Sequence, residues 1–197
     1  MQLTYKTITG NTYAEFKDRG SKFHGYAFPI HTTDNVKLHL QGLKKEHPKA
    51  VHHCYAYRIG TDGLQFRAND DGEPSGSAGR PILGQIDSAG LTNVLVVVVR
   101  YFGGTLLGVP GLINAYKTAA ADSLAAATVT EKNVEYRVTL EYDYSLMNEV
   151  MQVLKQSEAT VYRQDMQLFC VLEAGIPLAA KDACLHKLQD IRGLEIR

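Results

Sequence analysis

The chain has no tryptophan, three cysteines, no net charge and no long apolar run. Each scarcity excludes something. Cys54, Cys170 and Cys184 are scattered without C-x-x-C spacing, and an odd, sparse count fits free thiols in a reducing compartment. The longest apolar run, Val94 to Val99, falls far short of the roughly 20 residues that a membrane-spanning helix needs. The opening stretch MQLTYKTITG lacks the apolar segment of a signal peptide, so the expected location is cytoplasmic, with no membrane contact. Lys plus Arg and Asp plus Glu both number 21, which leaves the whole molecule without an electrostatic footprint for nucleic acid. Residues 1–129 hold a slight excess of cations and residues 130–197 the matching excess of anions, too small to argue binding.

What is present is concentrated between Asn69 and Tyr116. NDDGEPSGSAGRPILGQ crowds Asp70, Asp71 and Glu73 among Gly72, Pro74, Gly76 and Gly79. Such a segment has no apolar stripe to bury and reads as a loop. NVLVVVVRYFGG follows, and its valines predict a strand covered on both faces, with Arg100, Gly103 and Gly104 at its exit. An acidic glycine loop and an arginine beside a core strand have the composition of a site.

Around this segment the pattern alternates short strands and helices. Thr12–Lys17 and Lys22–Phe28 read as strands joined by a turn, and a helix capped at Thr33 or Asp34 runs to Glu46, where Pro48 stops it. Val51–Ile59 and Leu64–Ala68 form a hairpin around Gly60-Thr61-Asp62-Gly63. A short helix starts near Pro81 and ends at Gly90. The second glycine-rich loop, residues 103–111, leads into a helix over Leu112–Ala127. Glycine then becomes scarce, which puts a domain boundary near residue 128, giving domains 1–128 and 129–197. The second reads as strand Asn133–Tyr142, helix Ser145–Gln156, strand Thr160–Asp165, strand Gln167–Glu173, helix Leu178–Ile191 and strand Leu194–Arg197. That βαββαβ order is ferredoxin-like, and the fold class is α+β.

Asp70, Asp71 and Glu73 offer oxygen ligands to Mg²⁺ or Ca²⁺, but the spacing is not that of an EF-hand, and hydrogen bonding to loop amides is the competing role. His52 and His53 point to opposite faces of one strand, so they cannot chelate one ion together. A His52–carboxylate acid–base site and a metal-assisted hydrolase built on Asp70, Asp71, Glu73 and His52 stay open beside a structural histidine. The same alternation separates His53 from Cys54 and argues against a nucleophile pair. GGTLLGVPG is neither a P-loop nor G-x-G-x-x-G; it either cradles an anion or supplies tight turns. Arg100, Lys22 and Arg19 suit phosphate, while an ion pair of Arg100 with Asp70 or Asp71 is the alternative.

Several stretches together resemble the IMPACT/YigZ family: Lys22-Phe23, HHCYAYRIG (His52–Gly60), DDGEPSGSAGRPIL (Asp70–Leu83), VVVVRYFGGTLLG (Val96–Gly108) and GLINAY (Gly111–Tyr116). The resemblance implies a first domain like domain 2 of ribosomal protein S5 and a second like the last domain of elongation factor G. Eukaryotic members regulate translation under amino-acid starvation by competing for the activator of an initiation-factor-2 kinase, a pathway that bacteria lack. What the resemblance transfers is a non-catalytic, translation-associated factor that binds RNA, the ribosome or a translation-related protein. A protein-interaction module without nucleic-acid contact is the alternative. The family brings no catalytic residue set, no cofactor and no sequence-specific DNA contact. The expected binding surface is His52, Asp70, Asp71, Glu73, Arg100, Gly103, Gly104, Lys22 and Arg19. One departure is Pro110 where the family pattern has a glycine before Gly111, so any role that needs that amide is in question.

Overall fold

The computed structural model describes residues 2–167 and 169–197. In chain order the elements are β1 (Thr4–Ile8), β2 (Thr12–Asp18), β3 (Ser21–Pro29), α1 (Thr33–Glu46), β4 (His52–Ile59), β5 (Gln65–Asn69), α2 (Gly79–Ser88), β6 (Val94–Tyr101) and α3 (Gly108–Ala125). Then come β7 (Val129–Asn133), β8 (Glu135–Tyr142), α4 (Met147–Gln156), β9 (Thr160–Met166), β10 (Cys170–Pro177), α5 (Lys181–Gln189) and β11 (Glu195–Ile196). Two compact units result, one from Tyr5 to Lys132 and one from Asn133 to Arg197 with the residues up to Thr4. The division falls just beyond the change in composition because the chain leaving α3 first forms β7, which pairs with β1.

The larger unit is built on a five-stranded sheet of order β2-β3-β6-β4-β5, antiparallel throughout. β6 lies in the middle, and Val94 to Val99 are all fully buried. Its alternation feeds two layers. Val94, Val96 and Val98 pack with Ile82 and Ile86 of α2 and Ala115 and Ala119 of α3. Leu95, Val97 and Val99 pack with Val36 and Leu43 of α1. A strand with helices on both faces has no wet side, which is why its sequence is a continuous apolar run.

Helix starts differ from expectation for local reasons. α1 is capped by Thr32: its hydroxyl accepts from Asn35 N, and the Asn35 side chain returns to the Thr32 amide. α3 begins at Gly108, earlier than Leu112, because Pro110 sits in the first turn, where no intrahelical N–H bond is due. The amide that proline lacks is therefore not missed by the helix.

The smaller unit is a four-stranded antiparallel sheet of order β11-β8-β10-β9 with α4 and α5 between strands, the βαββαβ arrangement read from sequence. Leu140, Leu172 and Ile176 of the sheet pack with Val150, Leu154 and Leu188. α4 begins at Met147, not at Ser145, because residues 144–146 form a tighter turn that Asp143 caps by accepting from Ser145 N. β10 occupies Cys170–Pro177, not Gln167–Glu173, because Leu172, Ala174 and Ile176 continue the buried face. Leu168, inside the expected strand, lies outside the described residues.

Candidate functional site

The register of the large sheet assembles the site. At the exit of β6, Arg100 lies directly between Phe23 of β3 and His52 of β4. All three share the sheet face that carries α2 and α3. The acidic loop between β5 and α2 folds over this end.

Each carboxylate of the loop has its own task. Asp70 Oδ1 accepts from Ala78 N at 3.1 Å and Gly79 N at 2.7 Å, and Oδ2 accepts from Gly76 N at 2.9 Å. It caps α2 from a distance, since the helix's own cap residue, Ala78, has no acceptor side chain. Burial by itself raises the pKa of Asp70; the N–H donors of Gly76, Gly79 and Ala78, with Arg80, outweigh it and hold the carboxyl below its usual range. Asp71 adopts a φ of 41°, accepts on its carbonyl from His52 Nδ1 at 2.7 Å, and accepts on Oδ2 from His53 N at 2.7 Å. Gly72 follows at φ 89°, where a side chain would be strained by the backbone conformation itself.

Glu73 turns inward. Its Oε1 accepts from Arg100 Nη1 at 2.6 Å and from the Tyr116 hydroxyl at 2.7 Å, with His52 Nε2 at 3.8 Å. The pairing partner of Arg100 is thus Glu73, rather than Asp70 or Asp71. Cys54, two residues on from His52, donates from Sγ to Asp70 O at 3.0 Å. Burial pushes its thiol well up, and burial does the same to the Tyr116 hydroxyl. A protonated, buried thiol is a poor nucleophile.

The three carboxylates therefore point to different donors. Among the described residues, no group of three or more His, Cys, Asp or Glu side chains is placed to hold a metal ion. The hydrolase constellation of Asp70, Asp71, Glu73 and His52 does not converge on one point.

The basic set also separates. Arg100 is 6% exposed, with its guanidinium over the rings of Phe23 and Phe102. Lys22 stands opposite Tyr101 and faces the α1 side of the sheet. Arg19 occupies the exposed two-residue turn at φ 45°. Gly103 donates to Ser21 Oγ at 3.2 Å and lies so close to Gly20 that no Cβ fits; Gly104 has φ 85°. Both glycines serve a tight turn, and α3 starts several residues later.

The sequence reading missed Tyr116, Phe23 and Phe102 as members of the site. Tyr116 stood at the end of the GLINAY motif with no role assigned to it. It also missed a pocket of about 390 Å³, lined by His52, Glu73, Arg100, Leu106, Val109 and Leu112 among others. At its rim stand exposed apolar side chains, Phe102 at 49%, Leu106 at 82% and Val109 at 46%, with Ile113 at 39% further along α3.

Residues 19–124, which hold the whole site, match the family described as the Impact N-terminal domain. The chain is 36% identical over 163 residues to the IMPACT family member YigZ of Escherichia coli (strain K12), covering 80% of each. It is 36% identical over 158 residues to the IMPACT family member YvyE of Bacillus subtilis (strain 168), covering 80% of this chain and 73% of that protein. A crystal structure of a hypothetical protein superposes over 100% of this chain and 97% of its own, with a TM-score of 0.78 and 29% identity.

Proposed function

The chain belongs to the IMPACT family, and from that premise we propose that it is a non-catalytic, translation-associated factor that recognises a protein partner. The observation that carries the reading is the contrast at the end of β6. Arg100 is buried and neutralised by Glu73, while Phe102, Leu106, Val109 and Ile113 are exposed beside it. A phosphate-binding surface needs accessible cations; this one offers apolar contact around a fixed polar floor. Asp70, Asp71 and His52 act by holding the loop in shape, and Gly103 and Gly104 by shaping its far side. RNA or ribosomal RNA as the direct ligand has less support, since Arg100, Lys22 and Arg19 do not share a surface.

The same reading includes the finer fold kinships: domain 2 of ribosomal protein S5 for the larger unit and the last domain of elongation factor G for the smaller. The βαββαβ order of the latter supports it. The test is a pull-down of translation proteins from nuclease-treated lysate with the wild-type chain and with Leu106→Ser, a change at an exposed position. A translation protein held by the wild type and released by the variant supports the proposal. Capture that disappears with nuclease, or that Leu106→Ser leaves intact, overturns it.

A further inference from the structure

The pocket beneath the exposed loop has unmet hydrogen-bonding capacity of both signs. Arg100 uses Nη1 on Glu73, but its Nε is buried with no partner among the described residues. A buried guanidinium N–H left unpaired is costly, and such orphans are uncommon. The edge of the group that carries Nε and Nη2 is the one that grips a carboxylate with two parallel bonds, and because Nε is closed to solvent here, a ligand takes that edge only as the side chains over it shift. Glu73 receives both of its donors on Oε1, so no described residue donates to Oε2. His52 donates from Nδ1 to Asp71 O, and its Nε2 lies 3.8 Å from Glu73 Oε1, beyond hydrogen-bond distance. All three residues line the pocket of about 390 Å³, a volume suited to a small molecule, and Leu106, Val109 and Leu112 form apolar wall.

We infer that this pocket binds a free α-amino acid with an apolar side chain, its carboxylate on the guanidinium of Arg100, its ammonium against Glu73 and His52, and its side chain among Leu106, Val109 and Leu112. Charge decides between ligand classes. A phosphate or simple anion meets Arg100 but also the Glu73 carboxylate, and among the described residues no second lysine or arginine lines the pocket. A simple amine meets Glu73 but also Arg100. A zwitterion with the two charges a few bonds apart answers both. The carboxyl terminus of a peptide carries an amide where the ammonium belongs and leaves Glu73 unanswered. Leu106 and Val109 belong both to this wall and to the proposed partner surface, and the readout, small-molecule binding by the full chain alone, keeps a failure of one reading distinct from a failure of the other.

The test is isothermal titration of the full chain with L-leucine, L-isoleucine, L-valine, L-methionine and L-phenylalanine in turn. The expected result is saturable binding of at least one at a single site. The matched acid without an amino group, such as 4-methylpentanoate, the matched amine without a carboxylate and the N-acetyl amino acid are each expected to bind weaker by on the order of a hundredfold. Val109→Glu, at a half-exposed position that leaves the core intact, is expected to abolish binding, with a melt confirming that the variant is folded. No saturable binding by any of the five overturns the inference. So does equal binding of the deaminated acid or the N-acetyl form, which assigns the pocket to a plain carboxylate or a peptide terminus. Unchanged binding by folded Val109→Glu overturns it too.

Discussion

Glu73 Oε1 and Arg100 Nη1 meet at 2.6 Å with side chains 3% and 7% exposed, and the Tyr116 hydroxyl donates to the same oxygen. A pair this deep has been desolvated, so its value lies less in net attraction than in the cost of breaking it. Glu73→Ala strands the guanidinium and is expected to lower stability by about 3–5 kcal/mol. Tyr116→Phe leaves the ion pair in place and is expected to lower it by about 1 kcal/mol. Urea denaturation of the three proteins checks the ranking; a loss in Tyr116→Phe equal to that in Glu73→Ala contradicts it.

Asp70 gives a prediction with a pH signature. Its folded pKa lies below the unfolded value, so its contribution is complete above the unfolded pKa and is lost as pH falls through the folded one. Asp70→Asn keeps an acceptor for Ala78 N and Gly79 N but places either an amide donor or a misplaced oxygen near Gly76 N. The variant is expected to be less stable by about 1–3 kcal/mol at neutral pH. In denaturation at descending pH its deficit should shrink below the ordinary carboxylate range. A deficit that stays constant to low pH counts against the capping role.

On the other face of the large sheet, His24, His39 and His53 have pKa values lowered chiefly by burial. The folded state holds them neutral, whereas the unfolded chain protonates them near pH 6.5. Stability should therefore be full above that pH and decline as pH falls below it, before the carboxylates titrate. Urea midpoints measured between neutrality and mild acidity check this, and a flat profile contradicts it.

Pro110 stands where the resemblance to the family led to an expected glycine. Since it stands in the first turn of α3, Pro110→Gly restores no hydrogen bond and frees the unfolded chain. The expected outcome is a loss of about 1 kcal/mol in thermal unfolding, with the fold unchanged by circular dichroism. A gain in stability would mean that the proline is strained.

Much of the large sheet was legible because β6 is buried on both faces and has to be a run of valines. The βαββαβ order of the smaller unit was legible from alternating stripes. The acidic loop could be recognised as special, but its individual roles could not. Asp70, Asp71 and Glu73 are near neighbours in sequence, and nothing local says that one caps a helix, one fixes a histidine strand and one turns inward. That depends on register: His52 and Phe23 flank Arg100 only because β4 and β3 pair with β6 as they do. Lys22 and Arg100 looked like neighbours in composition, yet one residue of register puts them on opposite faces. The pocket was invisible for the same reason, since its wall joins Val51, Pro74 and Leu106 from three separate segments.

The central claim is that the end of β6 recognises a protein through apolar contact, with its charges spent on holding the surface together. The most direct measurement is the salt dependence of the affinity between the purified chain and its captured partner, for the wild type and for Leu106→Ser. The account predicts an affinity nearly flat in salt and a large loss in the variant. A steep fall with added salt, as counterion release from nucleic acid produces, together with unchanged binding by Leu106→Ser, would contradict it.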